Sequence, residues 1–297
     1  MILSHEIPQG CKLYFGKSAK IKRELENLSS AVLYNNGYAE IITPTFAYLE
    51  HQRDMQSREV VRTNDQHNHQ IALRHDSTID TMRLLAPHLR DGTFGKRWFY
   101  IQPIFVYPTT EIHQIGVENL ENNALAPFIT MSLEILHQMC PSALNTNVFL
   151  EPILLQLANV KIPQICAEVF KIPLIAFEKI DVGAICNASP IMQELLYVDS
   201  LQSLQDFIRA HTDLPSALLG ALNALAELAQ KVSYKSCIIS PLYYAPMAYY
   251  TGLCFRFFVE NATLILGGEY AVDKQNACGF GIYTDEVIQY VLRSESE

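Results

Sequence analysis

The chain has 297 residues, of which 49% are hydrophobic and 18% charged, so it is globular rather than intrinsically disordered. Its 31 acidic and 22 basic residues give a formal net charge of -9, and no Lys/Arg-rich run occurs, which argues against a nucleic-acid-binding protein. The seven cysteines form no CxxC pair, no apolar run reaches the roughly 20 residues of a membrane span, and no signal peptide is visible, so the sequence predicts a soluble cytoplasmic protein.

The chain begins with a helix and a strand. Apolar residues at helical spacing predict a helix over residues 17–35, and Gly37 in "NNGY" ends it. The segment "AEIITPTFAYLE", residues 39–50, then predicts a strand that Pro44 stops, because proline cannot donate to a sheet ladder.

A hairpin and a second helix follow. The segments "EVVRTND" and "QIALRHD" predict two strands around the turn "QHNH", and a helix is predicted over residues 77–89 with Asp76 or Ser77 as its cap. His67 and His69 of the turn are two residues apart and could face one metal ion. No third ligand is evident, so a solvated turn is the favoured interpretation.

Residues 98–119 predict a second hairpin, in which "WFYIQPIFVY" and "EIHQIGVEN" flank the turn "PTT". Gln114 and Glu118 are polar residues on an otherwise apolar strand. We expect them to meet Asp76 and Thr78 in one pocket. Such a pocket suits a ligand with an ammonium group, such as an amino acid, and repels phosphate. From spacing alone, scattered polar surface residues are an equally good interpretation.

The second half of the chain changes character twice. A helix is predicted over residues 125–139, and residues 145–233 predict a helical insertion. Strand signals return at "SCIISPLYY", "AYYTGLCFRFFV" and "ATLILGGEYAV", and a last helix is predicted at "TDEVIQYVL". The sequence thus predicts an α+β fold, in which residues 1–144 and 234–297 form one antiparallel sheet flanked by helices.

The order of these segments resembles histidyl-tRNA synthetases and their paralogues, the ATP phosphoribosyltransferase regulatory subunits, from about residue 7 to 290. "IPQGCKLYFGKS" and "YAEIITPTFAYLE" are similar to the opening of that family, "LRHDST" to its leucine-arginine-x-acid-x-threonine segment, and "FYIQPIFVY…EIHQIGVE" to class II motif 2. "AYYTG", "GGEY" and "GFGIYTDEV" resemble the histidine-specific segment and motif 3. The resemblance implies a class II aminoacyl-tRNA synthetase-like fold.

Four positions that are arginine in a synthetase of this family are neutral or acidic here: Val106, Ala245, Glu269 and Glu286. In a synthetase these cations hold the phosphates of ATP and stabilise the charge that develops during adenylation. Losing one such group costs roughly 3 kcal/mol, by analogy with a lost oxyanion donor. The resemblance therefore implies a catalytically inactive protein, and the chain ends too soon after motif 3 for an anticodon-binding domain.

The same resemblance assigns the ammonium and imidazole of a bound histidine to Asp76, Thr78, Gln114, Glu118 and Tyr250. It implies a regulatory subunit that activates a short-form ATP phosphoribosyltransferase, the first enzyme of histidine biosynthesis, and makes it sensitive to histidine. The implied partners are the separate catalytic subunit, histidine as effector, and a second copy of the chain in a homodimer built on motif 1. No tRNA, membrane, metal or cofactor is expected.

Two alternatives remain open from the sequence. One is an amino-acid-activating synthetase paralogue, which would need a phosphate-binding cation in motif 2 or 3, and none is found. The other is a scaffold subunit that binds no effector, because Asp76 stands where a synthetase has the longer glutamate. The sequence also leaves open whether histidine binds in this pocket or at the junction with the catalytic subunit.

Overall fold

A computed structural model describes residues 3–52, 60–90, 95–121, 124–140, 152–245, 247, 249–272 and 275–294. The helices are α1 Lys17–Asn35, α2 Ser77–Arg90, α3 Ala126–Met139, α4 Lys161–Phe170, α5 Leu174–Glu178, α6 Val182–Ala188, α7 Pro190–Leu196, α8 Leu201–Ala210, α9 Ser216–Gln230 and α10 Thr284–Ser294. The strands are β1 Ala39–Glu40, β2 Phe46–Tyr48, β3 Arg62–Asn64, β4 Gln70–Leu73, β5 Arg97–Val106, β6 Thr110–Asn119, β7 Leu154–Asn159, β8 Cys237–Ile239, β9 Tyr250–Val259, β10 Ala262–Val272 and β11 Gln275–Tyr283.

The chain forms two compact units. The first comprises Met1–Glu118 and Gly281–Glu297, and the second comprises Asn119–Phe280. The predicted insertion, residues 145–233, falls within the second unit, and its boundaries remain a prediction. Residues 145–151 of that segment lie outside the described part of the chain.

The first unit contains the predicted helices α1 and α2. α1 spans the predicted residues and buries Ile21 and Leu25, because apolar residues three to four apart share one face of a helix. α2 begins where it was predicted. The Asp76 carboxylate accepts a hydrogen bond from the backbone nitrogen of Ile79 at 3.0 Å and so caps this helix.

The strand predicted over residues 39–50 is divided at Pro44. Before the proline, β1 pairs in parallel with β5, and β5 lies beside β6. After the proline, β2 joins β4 and β3 in a separate three-stranded antiparallel sheet. Both predicted hairpins, β3–β4 and β5–β6, are therefore confirmed, and the proline separates two sheets instead of ending one strand.

The sheet of the second unit has the strand order β11–β10–β9–β7–β8. β10 and β7 pair antiparallel with β9, whereas β8 pairs in parallel with β7. The predicted antiparallel sheet is thus a mixed sheet. The helices α4 to α9 separate β7 from β8 and supply the long crossover that a parallel pair requires.

β7 lies in the segment that the sequence predicted to be helical. Its residues, "LLQLAN", are largely buried on both faces, and α9 packs against it. A short apolar run of this kind lacks the alternation of a half-exposed strand, so periodicity alone does not separate it from a buried helix. Among the helices within the described ranges, none combines the length and apolar composition needed to cross a membrane.

Candidate functional site

Four of the five residues predicted to bind histidine lie in the first unit. Asp76 directly precedes α2, Thr78 is in the first turn of that helix, and Gln114 and Glu118 lie on β6. Because side chains alternate along a strand, Gln114, Gly116 and Glu118 point to the same face. Whether these residues meet depends on what lies between α2 and β6.

A buried tyrosine of β5 joins two of them. Tyr100 is 3% exposed and Glu118 is 2% exposed. The Tyr100 hydroxyl donates to Glu118 Oε1 at 3.3 Å and lies 3.2 Å from Thr78 Oγ1. Since the single phenolic proton goes to the carboxylate, Thr78 is the donor of the other bond. The result is a hydrogen-bonded chain from Thr78 through Tyr100 to Glu118.

Gly116 makes room for the ring of that tyrosine. A β-carbon at this position would lie 2.0 Å from Tyr100 Cζ and 2.2 Å from its hydroxyl oxygen. The ring can therefore cross β6 only where that strand has no side chain. Sequence reasoning missed Tyr100, and the glycine between two polar residues in "QIGVE" is the signal that could have found it.

The cluster is acidic. Burial raises the pKa of Tyr100, and the nearby carboxylates of Glu118 and Asp76 raise it further, so the phenol stays protonated at neutral pH. Burial also raises the pKa of Asp76, and the hydrogen bond from the Ile79 nitrogen opposes this rise. A cationic ligand group near the two carboxylates would favour their ionised forms.

The arginine adjoining this cluster is engaged by backbone carbonyls. Arg74 is 2% exposed, and its Nε and Nη2 donate to the carbonyl of Pro103 at 2.9 and 2.8 Å. Its Nη1 donates to the carbonyls of Thr43 at 2.9 Å and Pro44 at 3.1 Å. Burial lowers the pKa of Arg74. Arg74 thus links β5 to the segment at Pro44, where the two sheets separate.

The other two residues predicted to bind histidine are Gln114 and Tyr250. Gln114 is partly buried on β6, and no side-chain hydrogen bond joins it to the other described residues of the cluster. Tyr250 is the first residue of β9 in the second unit, where its ring packs edge-on against Tyr249 with centroids 5.6 Å apart. That Gln114 and Tyr250 share a ligand with Asp76 remains a prediction.

Two of the four positions that are arginine in a synthetase, Glu269 and Ala245, are buried or half-buried in the second unit. Glu269 is half-buried, and its Oε2 accepts a hydrogen bond from the Leu253 nitrogen at 3.1 Å, beside an irregularity in the β9–β10 pairing. Burial raises the pKa of Glu269. Ala245 is 7% exposed and belongs to a small apolar cluster with Ala158 and Cys254.

The other two positions are also without a cation. Val106 is the last residue of β5 and is partly buried. Glu286 is exposed in the first turn of α10, next to Asp285, whose carboxylate accepts a hydrogen bond from the Tyr14 hydroxyl. Acidic residues at a helix N-terminus are favourable for the helix dipole, and they repel a phosphate that would otherwise bind there.

The histidine turn between β3 and β4 is a polar surface turn. His67 and His69 are exposed, and Asp65 accepts hydrogen bonds from both of their backbone nitrogens, at 2.8 and 2.9 Å. The Asp65 carboxylate also pairs with His69 Nδ1 at 2.9 Å, which lowers the pKa of Asp65. Within the described residues, no group of three or more His, Cys, Asp or Glu side chains could hold a metal ion.

Known proteins are similar to this chain over nearly its whole length. Residues 14–174 match the family model described as histidyl-tRNA synthetase. The chain is 46% identical to the ATP phosphoribosyltransferase regulatory subunit of Wolinella succinogenes, and the match covers 99% of this chain and 98% of that protein. It is 44% identical to the protein of the same name from Helicobacter hepaticus, over 98% of this chain and 100% of that protein.

The fold is shared with solved structures of lower identity. A Bacillus halodurans protein, described as an ATP phosphoribosyltransferase regulatory subunit/histidyl-tRNA synthetase, gives a TM-score of 0.81 at 18% identity, over 98% of this chain and 84% of that chain. This similarity confirms the predicted α+β class II aminoacyl-tRNA synthetase-like fold. From the two relatives that are more than 40% identical over almost their whole length, the chain belongs to the family of ATP phosphoribosyltransferase regulatory subunits.

Proposed function

We propose that this chain is a non-catalytic regulatory subunit that activates a short-form ATP phosphoribosyltransferase, the first enzyme of histidine biosynthesis, and confers histidine feedback inhibition on it. The observation that carries the proposal is the acidic cluster in which Glu118 and Asp76 lie near the buried hydroxyl of Tyr100. The name shared by the two relatives that are more than 40% identical supports a partnership with a separate catalytic subunit.

The acidic cluster suits the cationic part of histidine. Carboxylates in a partly desolvated site attract an ammonium or imidazolium group more strongly than they would in water, and they repel phosphate. Thr78 and Tyr100 add hydroxyl groups that can exchange hydrogen bonds with an imidazole nitrogen. The guanidinium of Arg74 is engaged by backbone carbonyls, so it leaves the acidic character of the cluster in place.

The same features weigh against amino-acid activation. Adenylation develops negative charge on phosphate oxygens, and one missing stabilising donor costs about 3 kcal/mol. None of Val106, Ala245, Glu269 and Glu286 can supply a positive charge. We therefore propose that the chain does not exchange pyrophosphate with ATP in the presence of histidine, and turnover in that assay would favour the synthetase alternative.

Feedback inhibition requires that histidine bind more tightly to one state of the assembly than to the other. Such coupling is typically about 1–3 kcal/mol, or a factor of about 5 to 150 in affinity. The decisive experiment measures phosphoribosyl transfer to ATP by a short-form catalytic subunit alone, with this chain, and with this chain plus histidine. Activity that needs the chain and falls on addition of histidine supports the proposal. Activity indifferent to the chain contradicts it.

Replacing Glu118 with glutamine is expected to weaken histidine binding by about tenfold or more. The substitution keeps the shape of the side chain and an oxygen that can accept from Tyr100, and it removes the negative charge. A hydrogen bond to a charged group contributes about 1.5–3 kcal/mol, and 1.4 kcal/mol is a factor of ten. Isothermal titration of the full chain with histidine measures the change.

Glu121→Gln is the matched control for Glu118→Gln. Residue 121 is exposed three positions further along the chain, so the control removes the same charge away from the cluster. We expect the control to bind histidine as the unchanged chain does. Equal affinities of Glu118→Gln and the unchanged chain for histidine would contradict a histidine site at Glu118. Loss of activation with intact histidine binding would instead assign Glu118 to activation of the catalytic subunit.

The proposal includes a homodimer formed through the region around Pro44. Ile42 is 78% exposed, Phe46 is 52% exposed and Tyr48 is 45% exposed, although all three are large hydrophobic residues. Exposed apolar side chains grouped in one segment are typical of a protein–protein interface. Assembly with the catalytic subunit would then yield a hetero-oligomer that contains this dimer.

Ile42→Glu is expected to weaken the homodimer by at least about tenfold in its dissociation constant. A charge at the centre of an apolar interface must be desolvated without a partner, and each 1.4 kcal/mol of that cost is a factor of ten. Light scattering after size-exclusion chromatography, over a dilution series, measures the change. Ile180→Glu is the control, because Ile180 is 76% exposed and lies in the second unit. Dissociation of both variants alike would exclude an interface specific to Ile42.

Cytoplasmic residence is also part of the proposal. Cys11, Cys166, Cys186, Cys237 and Cys254 are all in the thiol form in the structure. A reducing compartment keeps cysteines in this form.

A further inference from the structure

The second unit contains an apolar cleft, here termed the edge cleft, beside β8, the last strand of its sheet. Residues of α5, α6 and α7 line one side of it, and β8 with the segment that follows lines the other. Its volume is about 350 Å³, and its apolar walls include Phe177, Ile185, Leu195, Val198, Ile239 and Leu242. Protein interfaces place their strongest anchoring side chains in apolar pockets of this kind.

The rim of the edge cleft exposes large apolar side chains. Ile180 is 76% exposed and Val182 is 44% exposed, and both line the cleft. Leu174 and Ile175, on the neighbouring α5, are 40% and 47% exposed. Single exposed apolar residues are common on protein surfaces, whereas a group in one short segment is typical of an interaction surface. The rim therefore has the composition of a surface that binds another molecule.

Ile180 also has an unfavourable backbone conformation. Its φ is 54°, in the left-handed region, where a β-branched residue is strained. Its nitrogen donates to the Phe177 carbonyl at 3.3 Å, and the Asp181 nitrogen donates to the Ala176 carbonyl at 2.8 Å. These two bonds form a Schellman motif at the end of α5, in which glycine or asparagine ordinarily occupies the position of Ile180. An exposed, strained isoleucine lowers the stability of the isolated chain, which indicates a contact outside the chain.

The charges at the edge cleft are mainly negative. The described residues that line it include the exposed carboxylates of Glu178 and Asp199 and no Lys or Arg. Asp181 and Lys179, beside Ile180 in the sequence, are both exposed and offset each other. Electrostatic complementarity favours a partner that carries a lysine or arginine next to an apolar side chain. It disfavours a second copy of this chain, whose formal net charge is -9.

We propose that the edge cleft binds the catalytic subunit of ATP phosphoribosyltransferase, through a segment of that subunit in which an apolar side chain lies next to a lysine or arginine. The apolar side chain enters the cleft beside Ile180, and the cation pairs with Glu178 and Asp199. This inference rests on the proposed function, because its partner is the catalytic subunit named there. The edge cleft shares no residue with the cluster around Tyr100, so histidine binding is a separate measurement.

Ile180→Asn tests the apolar part of this surface. Biolayer interferometry of the full chain against an immobilised short-form catalytic subunit from the same source measures the affinity. The substitution should weaken binding by about tenfold or more, as the loss of an interface anchor does. The thermal midpoint of the chain without its partner should rise, because asparagine is polar and tolerates the left-handed conformation. An unchanged affinity, or a lower midpoint, would overturn the proposal.

Lys171→Asn is the matched control for Ile180→Asn. Lys171 is also exposed and left-handed, with a φ of 57° at the C-cap of α4, and it does not line the edge cleft. The control should bind the catalytic subunit as the unchanged chain does, and both variants should bind histidine normally. Equal losses of affinity in the two variants would assign the effect to the backbone change and overturn the role of the cleft.

The double variant Glu178→Gln with Asp199→Asn tests the charged part of the surface independently of Ile180. It removes two exposed charges and keeps the side-chain shapes, so association with the catalytic subunit should be slower and less sensitive to added salt. An association rate and salt dependence equal to those of the unchanged chain would overturn the proposal. A weaker homodimer of Ile180→Asn in light scattering would also overturn it, because a second copy would then occupy the cleft.

The unchanged chain distinguishes failure of this inference from failure of the proposed function. If the unchanged chain neither binds nor activates the catalytic subunit, the proposed function fails, and this inference fails with it. If the unchanged chain binds and activates the catalytic subunit, and Ile180→Asn and the double variant do so equally well, only the inference about the edge cleft fails.

Discussion

Gly116→Ala is expected to lower the free energy of unfolding by about 1–3 kcal/mol and to weaken histidine binding at the same time. The added β-carbon would lie 2.0 Å from Tyr100 Cζ, a distance that carbon atoms do not tolerate. The ring cannot swing into solvent without cost, because Tyr100 is 3% exposed and its hydroxyl bonds to Glu118. Urea denaturation and a histidine titration of the same preparation measure the two effects.

A double-mutant cycle separates the clash from other effects of the substitution. In the background of Tyr100→Ala the ring is absent, so Gly116→Ala should cost little further stability, and the difference between the two backgrounds measures the coupling. Gly95→Ala is a second control, because a β-carbon there meets no atom within 4 Å. An equal cost of Gly116→Ala in both backgrounds would show that the ring of Tyr100 is not what excludes the side chain.

The sequence pointed to Asp76 and Glu118, whose role in binding histidine stays a prediction, but it did not point to Tyr100, whose hydroxyl joins Thr78 to Glu118. Glu118 was recognisable as a polar residue on an otherwise apolar strand, and Asp76 as an acidic residue that directly follows an apolar strand. Tyr100 sits in the apolar run "WFYIQPIFVY", where an aromatic residue is expected simply to fill the core. Only the pairing of β5 with β6 shows that its hydroxyl reaches a carboxylate.

Helices α1 and α2 were predicted more accurately than the pairing of the strands in the sheet. The periodicity of α1 and α2 is a local property of the chain, and both helices lie where it placed them. The parallel pairing of β7 with β8 depends on residues far apart in sequence, and the burial of β7 on both faces removes its alternation. Long-range pairing of this kind leaves no local signal in the sequence.

Arginine has two different roles at the positions compared here, and the family resemblance alone does not distinguish them. The substituted positions Val106, Ala245, Glu269 and Glu286 are those where a synthetase directs a cation at phosphate. Arg74, within "LRHDST", is retained, and it donates to the carbonyls of Thr43, Pro44 and Pro103. The proposed non-catalytic role makes the former set dispensable, whereas the backbone carbonyls still require Arg74.

Arg74→Met is therefore expected to lower the free energy of unfolding by about 3 kcal/mol or more. Methionine fills much of the same volume but leaves the buried carbonyls of Thr43 and Pro103 without their charged donor, and each such bond contributes about 1.5–3 kcal/mol. The break at Pro44 should loosen with it, so the homodimer proposed for that region should weaken as well. Chemical denaturation and light scattering over a dilution series measure the two effects.

Arg74→Lys tests whether the hydrogen-bond geometry of Arg74 or its positive charge stabilises the chain. Lysine keeps the positive charge, but a single ammonium cannot reproduce the planar fork that donates to Pro103 on one edge and to Thr43 and Pro44 on the other. The lysine variant should therefore be less stable than the unchanged chain and more stable than Arg74→Met. A lysine variant as stable as the unchanged chain would mean that charge alone holds the break at Pro44. A methionine variant of unchanged stability would mean that the carbonyls find other donors once the guanidinium is gone.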